Sequence, residues 1–305
     1  MLRTAAIRLA ALPLSLLLVT AITFAALRLT GDPVTIYLDV SATPDQVALL
    51  RAQLHLDDPL PLQFASFLAD LAQGDFGRSL QFGGPAMPVV LQRLEKTAEL
   101  LGAALGLAVV LGVGAGVAAA LRRDTYLDAG LCAVAAAGQS IPSFWLGIML
   151  VQLFALKLGW LPTSGTGTWR HLILPSVTLA TFLLPGFLLI TRTAMIDALR
   201  ELHVTAARAR GLGDVRVVLR HALRCAVNPM LSFFGLQFGR LVGGSILTET
   251  IFAWPGVGRL MIGGILQRDL PVVVAGVFVM AIATALANLV VDLLQLAADP
   301  RLRSG

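Results

Sequence analysis

The stretch ELHVTAARARGLGDVRVVLRHALRCAVNP, residues 201–229, decides the fold of this chain. It is basic and rich in helix-forming residues, and it lies between two long apolar stretches. Seven Arg fall within residues 192–224, against three acids, Asp197, Glu201 and Asp214. Because cytoplasmic loops of membrane proteins carry an excess of Arg and Lys, we expect a cytoplasmic loop here. Its length and helical pattern predict an ordered docking surface rather than a linker.

The composition is that of an integral membrane protein. Of the 305 residues, 57% are hydrophobic and 13% are charged, and the mean hydropathy is +0.82. A soluble domain carries about 25% charged residues. The net charge of +5 comes from basic residues dispersed among apolar stretches, which predicts contact with membrane lipid and no binding of nucleic acid. Neither Lys96 nor Lys157 follows a Gly-rich turn, so the sequence has no P-loop for ATP.

The cysteines and histidines do not have the spacing of a metal site. Cys132 and Cys225 lie in or beside apolar stretches, and we expect two small buried thiols rather than a disulfide. We expect this chain to have no metal site, no catalytic residue and no bound cofactor. The four scattered His are His55, His171, His203 and His221.

Six charge-poor stretches are long enough to cross a bilayer, which takes about 20 apolar residues in a helix. The third can cross with a tilt, or it can include a re-entrant end at Ser140–Pro142. The fold class is therefore all-α, with six transmembrane helices. The predicted spans are Leu9–Leu27, Leu100–Leu121, Ala129–Leu156, Leu172–Thr191, Pro229–Thr248 and Leu270–Val291.

The distribution of Arg and Lys predicts that both termini lie in the cytoplasm. The segment Gly31–Glu99 has nine acids against four bases and is assigned to the extracytoplasmic side. We divide the chain into an N-terminal transmembrane helix, residues 1–30, an extracytoplasmic loop with short helices, residues 31–99, and a five-helix core, residues 100–305. The core includes the cytoplasmic loop 192–228.

The extracytoplasmic loop is predicted to contain helices. Thr43-Pro44-Asp45-Gln46 has the pattern of a helix start, with a capping residue, Pro at the first position and Gln at the third. Leu60–Gln73 is amphipathic and is followed by Gly74, which ends a helix. The loop is either a lid or docking surface for an external partner, or a structured cap on the spans.

The cytoplasmic loop is predicted to form two short helices joined by a glycine turn. Asp197–Arg210 is rich in Ala, and Gly211 fits the left-handed position that ends many helices. Gly213-Asp214 can start a second helix, which we expect to run through Val215–Arg224.

Glycines at a four-residue spacing in the second and fifth spans favour close helix packing. This packing can be within the chain or against another subunit. The glycines are Gly102, Gly106, Gly112, Gly116, Gly235, Gly239 and Gly243.

Several segments resemble the permeases of ABC importers in the dipeptide, oligopeptide and nickel branch. Residues 203–212, HVTAARARGL, resemble the segment Y-V-R-T-A-R-A-K-G-L of these permeases, and RHALR at 220–224 with Pro229 resembles its continuation. The resemblance follows the family order over nearly the whole chain. The other similar segments are GDFGRS at 74–79, SIPSFWL at 140–146, IFAWPGVGR at 251–259 and DPRLR at 299–303.

Three residues depart from the pattern of the peptide branch. Thr205 stands where that branch has Arg, His203 where it has Tyr, and Cys225 where it has Asn. The pattern H-V-T-x-A-R-x-R-G-L is closer to the nickel branch. The substrate therefore stays open between short peptides and nickel or other metal chelates.

The resemblance implies a type I ABC importer permease fold with cytoplasmic coupling helices, in the cytoplasmic (inner) membrane of a bacterium. It also implies a complex with a second, homologous permease, with two ATPases that bind ATP and Mg²⁺, and with an extracytoplasmic substrate-binding protein. ATP hydrolysis by the ATPases would then be coupled to alternating access. The residues implied in this coupling are Glu201, Val204, Thr205, Ala206, Ala207, Arg208, Ala209, Arg210, Gly211 and Leu212.

Arg240 lies midway along the fifth predicted span, with Gln237 three residues earlier on the same helix face. A cation inside a bilayer costs at least about 2.5 kcal/mol, so it should face a pathway or a carboxylate. Two interpretations are open. Arg240 and Gln237 line the translocation pathway and Arg240 attracts an anionic group of the substrate, or Arg240 forms a structural ion pair with Asp292 or with the partner permease.

Two other classes of function fit the sequence less well. An integral-membrane enzyme needs a catalytic constellation at one membrane face, and the sequence has no His pair, acid dyad or nucleophile motif. A secondary transporter would suit Arg240, but it has no use for so specific a cytoplasmic loop.

Overall fold

All the regular secondary structure in the described part of the chain is helical. The computed structural model describes residues 2–29, 43–53 and 56–298. The segment 30–42 of the predicted external loop and the motif at 299–303 lie outside the described residues. The helices are α1 (Leu2–Leu29), α2 (Pro44–Gln53), α3 (Leu60–Ala72), α4 (Ala86–Leu121), α5 (Tyr126–Ser140), α6 (Ser143–Leu150), α7 (Trp169–Arg200), α8 (Leu202–Ala209), α9 (Asp214–Val217), α10 (Leu223–Ile251), α11 (Val257–Leu266) and α12 (Leu270–Ala298).

The described residues contain four helical stretches long and apolar enough to cross a membrane, or five if a bent pair of helices is one span. The first predicted span lies within α1, a helix of 28 residues. The six-span arrangement stays a prediction. The four stretches are Ala86–Leu121, Trp169–Arg200, Asp214–Ile251 and Leu270–Gln295, and the bent pair is Tyr126–Ser140 with Ser143–Lys157.

The second predicted span is only part of a longer helix. The predicted span begins at Leu100, whereas the helix that contains it, α4, begins at Ala86 and carries Glu95 and Glu99 in its first half. Charged residues end an apolar stretch without ending a helix, and Pro88 is tolerated in the first turn, where its missing N–H has no partner to lose. The boundary at residue 99 between the predicted loop and the predicted core therefore falls inside a helix.

The third predicted span is bent at Ile141-Pro142. α5 and α6 meet there at 99°, and α6 continues into a π-helical turn over Val151–Lys157. Ile141 has extended dihedral angles, φ −87° and ψ 123°, because a Pro disfavours the helical conformation of the residue before it. The straight, tilted helix is therefore excluded, and the break proposed near Ser140–Pro142 is present.

The chain divides into two compact units. The first contains Lys96–Pro255 and the residues from Leu286 onward. Its core forms where α4, α7 and α10 pack together. The large side chains at the centre of this core are Leu100, Leu179, Leu183, Phe187, Leu241 and Trp254.

Two of the predicted glycines let α4 approach α7 closely. A Cβ atom at Gly112 would lie 2.8 Å from the Cβ of Phe187, and one at Gly116 would lie 2.6 Å from the carbonyl oxygen of Leu188. In α10, a Cβ at Gly235 would lie 3.1 Å from a side chain of α12. The four-residue spacing of glycines indicates where helices can approach each other closely. Only the tertiary structure shows at which of these glycines they approach. Among described atoms, a Cβ would meet nothing within 4 Å at Gly102, Gly106 or Gly243.

The second unit contains the stretch up to Glu95 and Gly256–Ala285. Phe24 of α1 packs against Phe64 and Phe67 of α3, with ring centroids 5.3 and 5.6 Å apart. Aromatic pairs of this kind bury large apolar area at a defined geometry. They tie the first helix to the second short helix of the predicted external loop.

Both predicted helix signals of that loop are confirmed. The side chain of Gln46 accepts a hydrogen bond from the backbone N–H of Thr43 at 3.0 Å, which is one half of a capping box. α3 ends at Ala72, and Gly74 follows with a φ of +79°. These elements are local, so sequence alone was enough to place them.

Candidate functional site

Helix α8 is held against the long helices by a small apolar core. Val204 and Ala207 are buried on its inner face and pack against Val217 of α9. Leu199 of α7 and Leu212 pack against the same cluster. The loop is therefore a packed element that shares an apolar core with the helix before it.

Gly211 turns the chain between α8 and α9. Its φ is +78°, the left-handed conformation predicted for it. The N–H of Gly211 donates to the carbonyl of Arg208 at 2.9 Å, and the N–H of Leu212 donates to the carbonyl of Ala207 at 3.4 Å, which are the two bonds of a Schellman motif. A Cβ at position 211 would meet no described atom within 4 Å. The backbone conformation, and not a lack of space, is what favours glycine.

The outer face of this loop mixes apolar and basic side chains. Leu202 is 86% exposed and Val215 is 73% exposed. Arg208 lies near Asp214, with 3.7 Å between Nε and the carboxylate. Seven of the ten residues implied in coupling are exposed, namely Glu201, Thr205, Ala206, Arg208, Ala209, Arg210 and Gly211. Because Val204 and Ala207 face inward, they can only support the outer surface.

The second short helix predicted for this loop does not end near Arg224. α9 passes through a π-helical turn at Val218–Ala222 directly into α10. The sequence has no Gly or Pro between residues 214 and 228 to interrupt it, and Pro229 itself lies within α10. One side of the loop is therefore continuous with the fifth predicted span.

Cys225 is exposed, which corrects the expectation of a buried thiol. Its Sγ lies 3.7 Å from Nε2 of His203. Two of the three residues that depart from the peptide-branch pattern thus lie side by side. Cys132 is half-buried, and both thiols are free.

Gln237 and Arg240 line the same cavity, whose volume is about 290 Å³. The structure therefore brings the two predicted pathway residues together. Arg240 is exposed in this structure, and a pathway role and a structural ion pair with Asp292 or with the partner permease both stay predictions. The other lining residues come from α5, α6, α7 and α10 and include Gln139, Ser143, Thr181, Phe182 and Phe233.

The segment IFAWPGVGR, residues 251–259, makes structural contacts between helices. The indole N–H of Trp254 donates to the carbonyl of Lys96 at 2.8 Å, and the carbonyl of Phe252 accepts the N–H of Gly165 at 2.9 Å. A Cβ at Gly147 of α6 would lie 3.3 Å from the Phe252 ring. This turn therefore joins α10 to α4, to α6 and to the loop before α7.

Several buried polar contacts between distant residues were not predicted from the sequence, including the hydrogen bond from Thr97 to Glu249 and the two that follow. Arg192 bonds to Asp128, which is only 4% exposed. Ser79 of the GDFGRS segment donates to the fully buried Asp269. The partners are 64 and 190 residues apart in the chain. The sequence signals were an acid near the start of an apolar helix and, for Ser79, the motif at 74–79, and neither identified the partner.

The chain matches known families over almost its whole length. Residues 112–304 match the family described as "Binding-protein-dependent transport system inner membrane component". The chain belongs to this family. Residues 1–104 of the permease match the N-terminal part of the same kind of component, described as "Binding-prot-dependent transport system membrane comp, N-term". The resemblance of its sequence motifs to ABC-importer permeases is thereby confirmed.

Curated relatives are similar to the permease along its length. It is 40% identical over 290 residues to the "Glutathione transport system permease protein GsiC" of Salmonella choleraesuis, with 95% of each chain covered. It is also 40% identical over 275 residues to the protein of that name from Escherichia coli K12, with 90% of each covered.

A solved structure shares the fold. It is described as "Inward facing conformations of the MetNI methionine ABC transporter", and the TM-score is 0.57 at 16% identity. The similar region covers 70% of the permease and 97% of that chain.

Proposed function

We propose that this permease is a membrane subunit of an ATP-driven importer that carries short peptides into the bacterial cytoplasm. The observation that carries the proposal is the packed loop around Gly211. α8 is fixed on its inner face by Val204 and Ala207 and exposes Leu202 on its outer face. A rigid element with an exposed apolar surface can transmit a displacement from one subunit to another, which a flexible tether cannot do.

In this proposal the surface Glu201–Leu212 binds a partner ATPase, and ATP and Mg²⁺ are bound by the ATPases. Closure of two ATPases would draw together this loop and the corresponding loop of a second permease. Because α9 continues into α10, the movement would reach the cavity at Gln237 and Arg240 without crossing a flexible joint. The resulting rearrangement would switch the pathway between its outward-open and inward-open states.

Short peptides are the substrate class that the relatives favour. Two of the curated relatives at 40% identity are named as glutathione transport permeases, and glutathione is the first substrate to test. A metal chelate is the alternative raised by the loop sequence around Thr205. A screen of the cognate binding protein against short peptides and nickel chelates separates the two.

We place the subunit in the cytoplasmic membrane with both termini inside and six spans. The helices of residues 31–99 would then face the extracytoplasmic side, where the substrate-binding protein docks. The excess of acids in that segment and of Arg in residues 192–224 supports this orientation.

The test is reconstitution of the full complex in proteoliposomes with its binding protein. We expect ATP hydrolysis to rise when substrate-loaded binding protein is added, and substrate uptake to need ATP. Uptake driven by an ion gradient without ATP would make the chain a secondary transporter. Chemical conversion of the substrate in the absence of the ATPases would make it an enzyme.

A further inference from the structure

The cavity that contains Gln237 and Arg240 is built from four helices of one compact unit. Its aromatic wall is fixed by a close approach of α7 and α10. A Cβ at Gly186 would lie 2.0 Å from Cζ of Phe233, so only glycine leaves room for that ring. Phe233 in turn packs edge-on against Phe187, with 5.1 Å between centroids. The aromatic wall of the cavity is therefore set by the packing of two helices.

Gln237 offers an acceptor that the protein leaves unused. Its Oε1 is buried and has no hydrogen-bond partner within the described residues. A buried carbonyl oxygen without a donor is unfavourable, so native structures usually satisfy it. Gln237 lines the cavity, so a ligand N–H there can supply the missing donor once the side chain turns this oxygen toward it.

Arg240 contributes a positive charge to the wall of the same cavity. It lies three residues after Gln237 in α10, and residues at this spacing are neighbours on one helix face. A guanidinium has five N–H donors and no acceptor, and its planar fork matches a carboxylate. The cavity thus presents an anion-binding group and a hydrogen-bond acceptor about one helical turn apart.

We propose that this cavity binds the C-terminal residue of a short peptide, with Arg240 on the terminal carboxylate and Gln237 Oε1 on the amide N–H of the same residue. A peptide end carries these two groups on one residue, whatever its side chain is. Citrate and similar chelating carboxylates have the anion but lack the N–H donor. This proposal rests on the proposed transport function. It specifies that the permease recognises the C-terminal end of the peptide.

The test measures occupancy of the cavity in the purified complex with its partner permease and ATPases, without the binding protein. Cys132 and Cys225 are replaced, and Ser143→Cys places one reporter thiol on the cavity wall. Labelling by a maleimide is followed against increasing trialanine, its C-terminal amide, its form N-methylated at the last peptide bond, and citrate. We expect trialanine to protect the reporter at concentrations about tenfold lower than either modified peptide, because each modification removes one charge-assisted or buried hydrogen bond.

Variants assign the two contacts separately. In Arg240→Gln the concentrations of free trialanine and of its amide that protect the reporter should agree within about twofold. Arg240→Lys should keep most of the preference for the free peptide over its amide. In Gln237→Leu only the distinction between N–H and N-methyl should disappear. Leu236→Ala is the matched control, because Leu236 is 80% exposed on the same helix and does not line the cavity.

Several results would overturn the assignment. One is equal protection of the reporter by trialanine and by its amide. Another is a preference for trialanine over its amide that remains in Arg240→Gln. The third is protection by citrate that is as strong as protection by trialanine. If uptake by the complex is ATP-dependent while trialanine gives no protection, this inference fails and the transport function stands. If the complex neither transports peptides nor hydrolyses ATP, the transport function fails as well.

Discussion

Arg192 of α7 binds both carboxylate oxygens of Asp128 at the start of α5, with Nε–Oδ1 and Nη2–Oδ2 distances of 2.5 and 2.6 Å. The backbone N–H of Asp124 donates to the same carboxylate at 3.1 Å. The carboxylate of Asp128 therefore accepts hydrogen bonds both from the Arg192 side chain and from the backbone of Asp124. This bidentate pair fixes the beginning of the bent helix pair to α7, the helix that leads into the predicted cytoplasmic loop.

Removal of one partner of this pair should destabilise the permease more than removal of both. Asp128→Ala leaves Arg192 without its carboxylate in a site that is only partly exposed to solvent, and we expect a fall of several degrees in melting temperature. The double variant Arg192→Ala/Asp128→Ala should lose less than Asp128→Ala alone, and therefore less than the sum of the single variants. Thermal unfolding in detergent gives the four values. Additive losses would show that the two residues do not act as a pair.

Gly211→Val should abolish coupling without preventing membrane insertion. A left-handed conformation costs a residue with a side chain about 1–2 kcal/mol, and more for a β-branched one. Gly211→Asn is the matched control, since Asn tolerates this conformation. We expect substrate-stimulated ATP hydrolysis to be lost in the first variant and largely kept in the second. Normal stimulation in Gly211→Val would refute the role of the turn.

Gly116→Ala should destabilise the packing of α4 on α7. The added methyl group would lie 2.6 Å from the Leu188 carbonyl and 2.7 Å from the Cβ of Thr191, so backbone must move at a cost of about 1–3 kcal/mol. Gly106→Ala adds the same group to the same helix where a Cβ meets no described atom within 4 Å. It should be neutral or slightly stabilising. Thermal unfolding of the two variants, measured in parallel, tests this prediction. Equal melting temperatures for Gly116→Ala and Gly106→Ala would contradict it.

Ser79→Ala should loosen the turn formed by the GDFGRS segment. Ser79 donates to Asp269, whose Oδ2 also accepts the N–H of Gln81 at 3.2 Å and whose Oδ1 has no hydrogen-bond partner among the described residues. Loss of the hydroxyl deprives a buried carboxylate of a donor, at about 1–3 kcal/mol. Hydrogen exchange over residues 77–84 should become faster.

The control for this variant is Ser140→Ala. Ser140 is exposed, and its hydroxyl donates to the carbonyl of Ala136 in its own helix. It should leave exchange over residues 77–84 unchanged. Equal exchange in the wild-type permease and in Ser79→Ala would mean that Ser79 does not hold the turn.

The predicted orientation can be tested with single cysteines at Ser41 and Asp214, in a permease without Cys132 and Cys225. The excess of acids in the segment 31–99 and of Arg in residues 192–224 predicts that position 41 lies outside and position 214 inside. An impermeant thiol reagent added to intact cells should label position 41 only. Labelling of position 214 alone would reverse the topology.

The sequence by itself determined the class of the protein and its local structure. Long apolar stretches predicted a helical membrane protein, and the motifs predicted its family. The capping pattern at Thr43 and the left-handed turn at Gly211 depend on residues within a few positions of each other. Such features are set by backbone conformation and short-range hydrogen bonds, which a sequence displays directly.

Only the tertiary structure decided which distant side chains meet. The pairs of Asp128 with Arg192 and of Ser79 with Asp269, and the cavity that joins Gln237 and Arg240 to α5 and α7, depend on how helices pack. It also decided that α4 starts before its apolar stretch and that α9 runs into α10 without a break, because charge ends an apolar pattern but does not end a helix. Helix packing is fixed by many weak contacts at once, and no local pattern in the sequence records it.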